Sequence, residues 1–172
     1  NIRVYIFDSL KPTPLISFAV RELDCICGIV LTASHNPPEY NGYKVYWKDG
    51  GQIVPPIDKR IIDQINKTHY SEINFSRNDS IISVVDEKVE NKFKKLSIKT
   101  AKIGQSDRSK LGIVFTALHG TSYKLIPDLL QSSGFSNVNF VKNQMIPDGD
   151  FKNVNSSNCL LYTSDAADDV RG

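Results

Sequence analysis

Twice along the chain a short apolar run gives way to a loop, a helix and another apolar run, and this alternation constrains the fold more than any other feature. Arg3 to Phe7 reads as a strand, turned by Asp8 and Ser9. Pro12 and Pro14 stand where a helix opens, because the first turn of a helix does not need the N–H that proline lacks. Leu15, Phe18, Ala19 and Leu23 then recur with helical spacing. Ile26 to Leu31 is the next strand, and Tyr43 to Trp47 another, closed by Asp49-Gly50-Gly51. Beyond Pro55 and Pro56, Ile57, Ile61, Ile62 and Ile65 fall on one face of a second helix. Strands separated by helices bury their faces most simply as a parallel or mixed sheet with helices on its faces, an α/β fold.

The second half repeats the plan. Ser71 to Ser80 is polar and reads as an irregular connection. Val84 to Ile98 is rich in Lys and Glu and carries the apolar stripe Val89, Phe93 and Leu96. Its charges read as a solvated helix face, with Glu90 and Lys94 at the supportive i, i+4 spacing. Residues 99 to 110 read as a linker, Leu111 to Phe115 as a strand, and Thr116 to Thr121 as a loop. A helix with Tyr123, Ile126, Leu129 and Leu130 inward is stopped by Gly134, and Val138 to Val141 is a further strand. A first domain is therefore expected over residues 1–104 and the start of a second over 105–158. Asn1 opens almost at once into a strand and is not Met, so the true start is expected to lie upstream. Residues 159–172 lack any period that suits the preceding fold and resemble translated adapter sequence, so the natural sequence is expected to stop near Asn158.

Composition narrows the function classes. With 40% apolar residues among 172, the chain affords a sizeable core, and a 23% charged fraction suits an ordinary surface. A formal net charge of +2 is too small to argue for nucleic acid or an anionic membrane as partner. No stretch approaches the roughly 20 apolar residues of a membrane helix. Three cysteines make no disulfide framework. Cys25 and Cys27, two apart and thus on one face of a strand, read as small buried core residues in a reducing cytoplasm rather than as a metal or redox pair.

The chemistry concentrates after the second strand. Leu31-Thr32-Ala33-Ser34-His35-Asn36-Pro37 puts a serine on a tight loop at a strand end, where α/β folds present their reactive groups. Its hydroxyl is a candidate to accept and pass on a phosphoryl group. Asn36, Pro37 and Gly42 are residue types that shape such a loop. Two other places tempt less. Asp148-Gly149-Asp150 is followed by Phe151 and Lys152 rather than by further carboxylates, and His119-Gly120-Thr121 reads as a structural turn.

The loop and its continuation, Pro38-Glu39-Tyr40-Asn41-Gly42-Tyr43-Lys44-Val45-Tyr46, resemble the phosphoserine loop of the α-D-phosphohexomutases, the family of phosphoglucomutases and phosphomannomutases. Upstream, Phe7-Asp8-Ser9-Leu10-Lys11-Pro12-Thr13-Pro14 resembles the segment leading into that strand. Downstream, Leu118-His119-Gly120-Thr121 and Ile146-Pro147-Asp148-Gly149-Asp150-Phe151 resemble the opening of the second domain. The likeness runs from Val4 to Asn158 and is strongest to the phosphoglucomutase and phosphopentomutase-like branch. It implies parts of the first two domains of a four-domain fold around a central cleft, the later domains lying outside this chain.

The resemblance also implies roles. Ser34 matches the serine that carries the phosphoryl group, and through its phosphate it would be one ligand of Mg²⁺, the aspartate ligands lying outside the chain. Lys44 matches a lysine that approaches the phosphoryl group and sugar, and His35 matches the histidine beside the phosphoserine. The implied activity is that of an isomerase, a cytoplasmic intramolecular phosphotransferase acting on a small sugar phosphate. Glucose 1-phosphate and glucose 6-phosphate are the first expectation, with glucose 1,6-bisphosphate as activator and intermediate. Phosphomannomutase and phosphopentomutase are the alternatives, followed by a catalytically silent phosphosugar-binding relative or an inactive truncation. Neither nucleic acid nor membrane is expected as a partner.

Overall fold

The computed structural model describes residues 2–34, 36–37, 39–101 and 107–154, and its class is α/β. Among them lie the strands β1 (Val4–Ile6), β2 (Cys27–Leu31), β3 (Tyr43–Trp47), β4 (Ile82–Val84), β5 (Ile113–Phe115) and β6 (Val138–Phe140). The helices are α1 (Thr13–Glu22), α2 (Ile57–Lys67), α3 (Glu87–Thr100) and α4 (Leu125–Ser132). The strands pair two by two: β1 with β4, β2 with β3, and β5 with β6. The chain forms two compact units, one of Asn1–Val30 and Lys44–Glu90, the other of Leu31–Tyr43 and Asn91–Gly172.

In the first unit, α1 opens as its prolines predict, with Pro12 at the N-cap in extended conformation and Pro14 inside the first turn. Leu15, Ala19 and Val20 are buried on its inner face. Gly28 of β2 lets this helix approach: a β-carbon there would lie 2.5 Å from Cγ2 of Val20. Alternation along β2 then half-buries Gly28 and Val30 and exposes Cys27, Ile29 and Leu31. The expectation of two buried cysteines is corrected accordingly. Cys27 is exposed on the face of β2 away from α1, and Cys25 is half-buried ahead of the strand. Burial, then the neighbouring Cys27 and Asp24, pushes the Cys25 thiol above its ordinary value.

The structure adds a strand between the connection read over Ser71 to Ser80 and the helix read from Val84, and Val84 belongs to the strand. Ile82–Val84 lies parallel to β1, in the register Val4 to Ile82 and Ile6 to Val84, and α3 starts only at Glu87. Val89 of α3 is buried, and Glu90 receives an ion pair from Lys11 at 2.6 Å. The isoleucine stripe of α2 is covered at one end only: Ile57 and Ile61 are half-buried, Ile62 and Ile65 exposed.

The second unit contains a strand–helix–strand turn of its own. β5 and β6 are parallel, pairing Ile113 with Val138 and Phe115 with Phe140, and the two phenylalanine rings meet edge-on at 6.2 Å. The intervening α4 buries Leu125 and is fastened to α3 by Lys94 and Asp128 at 3.0 Å. Gly134 ends α4 with φ +86°, and the amides of Gly134 and Phe135 turn back to Gln131 O and Leu130 O at 3.0 and 3.1 Å. That closure needs a left-handed residue, which glycine supplies without steric cost. Arg108 donates to Ser133 O and lies over the Phe135 ring, joining the segment before β5 to the end of α4. Among the described residues no helix is long and apolar enough to cross a membrane.

Candidate functional site

Ser34 follows the carboxyl end of β2, exposed, with φ +60°. A non-glycine residue in the left-handed region is uncommon, and such strained positions gather where function over-determines the backbone. The loop's own hydrogen bonds hold it there. The Ser34 amide donates to Oγ1 of Thr32 at 2.9 Å, and the Thr32 amide donates to Gly42 O at 2.9 Å across the base of the loop. Asn36 N–H closes back on Ala33 O at 3.1 Å, and Tyr40 N–H on Pro37 O at 3.0 Å. Gly42 sits so close to the other limb that a β-carbon would meet Thr32 O at 3.2 Å. Its amide donates to Asn41 Oδ1 at 2.8 Å.

The result is an exposed serine on a fixed perch, its backbone tied by a threonine two residues earlier. Thr32 is the loop-holding residue that the sequence motif alone does not single out. The signal was present, since a threonine two positions before a turn residue is placed to make this bond.

Lys44 is half-buried as the second residue of β3, beside the buried Val45, and belongs to the first unit, whereas Ser34 belongs to the second. Alternation along β3 sets Lys44 on the face opposite Val45. His35 lies outside the described residues, as do residues 159–172.

The remaining candidates resolve into structure. His119 is buried, its Nδ1 2.7 Å from Ile146 O and its Nε2 receiving the Asn153 amide at 3.3 Å. The turn reading of this residue therefore acquires a partner, the 144–153 segment. Asp148 accepts from the Asp150 amide at 3.0 Å, and Lys152 reaches Asp148 and Asp150 at 3.6 and 3.7 Å. The Asp150 amide, the largest influence, holds the Asp148 carboxyl below the usual range; desolvation opposes it, and Lys152 and then His119 add smaller lowering effects. Both carboxylates are thus engaged by a lysine.

Mg²⁺ needs a set of oxygen donors converging on one point. Among the described residues no group of three or more His, Cys, Asp or Glu is so placed, so the residues present do not fit a complete Mg²⁺ site. A groove of about 460 Å³ beside α4 and β6, bordered by Pro127, Phe135, Val138 and Phe140, carries no titratable side chain and offers no chemistry.

Comparison with known proteins gives a consistent answer along the chain. Residues 1–72 match the family described as phosphoglucomutase/phosphomannomutase, alpha/beta/alpha domain I, and residues 90–170 match alpha/beta/alpha domain II of the same family. A phosphoglucomutase of Staphylococcus epidermidis is 42% identical over 164 residues, covering 92% of this chain. A phosphoglucomutase of Staphylococcus aureus is 42% identical over 162 residues, with the same coverage. The chain spans about 30% of the length of these curated relatives. Among solved structures, a Thermus thermophilus protein given a provisional phosphomannomutase assignment superposes with TM-score 0.68 at 26% identity, over 89% of this chain and 33% of its own.

Proposed function

Because the chain belongs to the phosphoglucomutase/phosphomannomutase family, we propose that it is the part of a phosphoglucomutase that carries the phosphoserine, Ser34. The observation that carries this reading is the perch itself: an exposed serine held with φ +60° by the Thr32 side chain, in the family's Thr-Ala-Ser-His-Asn-Pro segment. The complete enzyme would interconvert glucose 1-phosphate and glucose 6-phosphate. In the first step the phosphoserine P–O bond to Oγ breaks as a sugar hydroxyl attacks phosphorus, giving the bisphosphate and free Ser34. In the second, Ser34 Oγ takes back the other phosphoryl group, losing its proton as the sugar regains a hydroxyl. Glucose 1,6-bisphosphate is the intermediate and, added from outside, the activator.

The residues here have defined parts in that scheme. Thr32 and Gly42 fix where Oγ stands, which matters because phosphoryl transfer is mostly positioning and charge stabilisation. A phosphate on Ser34 adds about −1.5 to −2 charges, so cations belong around it. On the family resemblance Lys44 is proposed as one, a compact ammonium suited to electrostatic or proton-transfer work, and His35 is proposed to orient or protonate a transferred oxygen. Mg²⁺, held in part by the Ser34 phosphate, would neutralise phosphoryl oxygens. Its carboxylate ligands are not assembled by the described residues. By the same reading residues 1–104 form the first domain and 105–158 open the second, the compartment is the cytoplasm, and these 172 residues alone do not turn over substrate.

The test is Ser34→Ala in the complete gene product, assayed for conversion of glucose 1-phosphate. Loss of most turnover with an unchanged fold is expected, and full activity would overturn the role. The same assay with mannose and pentose phosphates decides among the related mutases. A folded complete protein inactive on every sugar phosphate would instead mark a silent, phosphosugar-binding relative.

A further inference from the structure

Every hydrogen-bonding atom of His119 is spent on one neighbouring segment. Its amide donates to Gln144 O at 2.9 Å and its carbonyl accepts from the Asp148 amide at 3.2 Å. Its Nδ1 meets Ile146 O at 2.7 Å, and its Nε2 meets the Asn153 amide at 3.3 Å. The Phe151 ring stands edge-on to the imidazole at 6.4 Å. Five residues of the 144–153 segment are thus gathered around a single buried residue, three of them around its ring.

The ring's protonation state follows from its partners. A carbonyl oxygen only accepts, so Nδ1 carries the proton; a backbone N–H only donates, so Nε2 presents its lone pair. The pattern defines the neutral Nδ1–H tautomer and is incompatible with imidazolium, which would set an Nε2–H against the Asn153 N–H. The backbone on both sides is strained. Leu118 and His119 stand consecutively at φ +46° and +62°, and Phe151 across the contact at φ +51°. Three non-glycine residues in the left-handed region persist only while their surroundings hold them.

We propose that His119 is a protonation-sensitive latch. Neutral, it holds the 146–153 segment against the turn that follows β5; protonated, it gives up Asn153 and frees the end of that segment. The charged side chains of the latched segment are Asp148, Asp150 and Lys152, of which Asp148 interacts with the ring, and Lys142 stands in the short turn that presents Gln144. The 116–121 turn itself carries no other titratable side chain. Asp148 is the carboxylate that would favour an imidazolium, but it already takes the Asp150 amide and Lys152. Asn153 is the point of release, since its carbonyl accepts from Gln144 Nε2 at 2.9 Å and its side chain donates to Asn143 O at 2.9 Å. Those two bonds run to Asn143 and Gln144, whereas His119 Nε2 ties Asn153 directly to the turn.

The test is NMR of the full 172-residue chain, reading imidazole nitrogen shifts together with amide hydrogen exchange corrected for intrinsic rates. At about pH 7.5 the Nδ1–H tautomer is expected, and on lowering the pH to about 5.5 protection of the Asn153 amide should fall about tenfold or more while α4 stays protected. His119→Asn, which keeps a donor near Ile146 O but has no Nε2, should lose the pH response of Asn153. An Nε2–H tautomer at neutral pH, a ring that stays neutral until the whole fold melts, or Asn153 protection indifferent to protonation of the ring would each overturn the proposal. The wild-type measurement decides the matter even if the variant fails to fold.

Discussion

At the scale of single residues, Thr32 does for the Ser34 loop what no residue inside the loop can do. Its side chain accepts the Ser34 amide while its backbone ties the two limbs together. Thr32→Val keeps the shape and the backbone bond but removes the acceptor. In the complete protein it should lower kcat roughly 10- to 100-fold, since a small misplacement of a reacting group costs that much, with little change in melting temperature. Steady-state kinetics beside a thermal melt check this, and an unchanged kcat would count against the positioning role. Asp148 gives a prediction in pH. Its carboxyl is held below the ordinary value by the Asp150 amide and then by Lys152. A group with a lowered folded-state value stabilises the fold above the unfolded value, about 3.9 for aspartate, and loses that contribution as pH falls through the folded value. Asp148→Asn should therefore flatten the acid limb of the stability curve below about pH 4. Denaturant melts at a series of pH values check it, and an acid limb identical to wild type would contradict it.

At the scale of elements, the clearest dependence is that of α1 on β2 through Gly28. A β-carbon at that glycine would stand 2.5 Å from Val20 Cγ2, so helix or strand would have to shift. Gly28→Ala should cost about 1–3 kcal/mol, the range for overpacking a fitted contact. Urea unfolding measures it, and a neutral effect would mean that the two elements slide freely. Elements with a local signature were legible beforehand. α1 announced itself by prolines at its entry and an apolar spacing, β3 by a run of apolar and aromatic positions closed at a glycine turn, and α4 by its stripe and Gly134. β4 was not legible, because so short a strand at the end of a polar stretch has no period to read. Ile82–Val84 is a strand only because β1, far earlier in the chain, supplies its parallel partner. The same reason hid the surroundings of His119, whose partners also stand far along the chain. At the candidate site, Ser34 could be read from its place at a strand end and from its motif. The bond from its amide to Thr32 needed coordinates.

At the scale of the whole molecule, the core is modest and apolar surface remains open. Ile29 and Leu31 on β2 and Val114 on β5 are exposed, with Leu31 at 79% and Val114 at 75%. Such faces are what further strands and helices cover in a larger α/β protein. The chemistry proposed for Ser34 likewise calls for groups that these residues do not assemble. Everything proposed for the complete enzyme depends on Ser34 carrying the phosphoryl group. The direct measurement is intact mass followed by peptide mapping of the complete gene product after brief exposure to glucose 1,6-bisphosphate with Mg²⁺. One phosphate per chain, on Ser34 and absent from Ser34→Ala, is the predicted result. A folded, Mg²⁺-supplied protein whose Ser34 stays unmodified, or whose phosphate maps elsewhere, would contradict it.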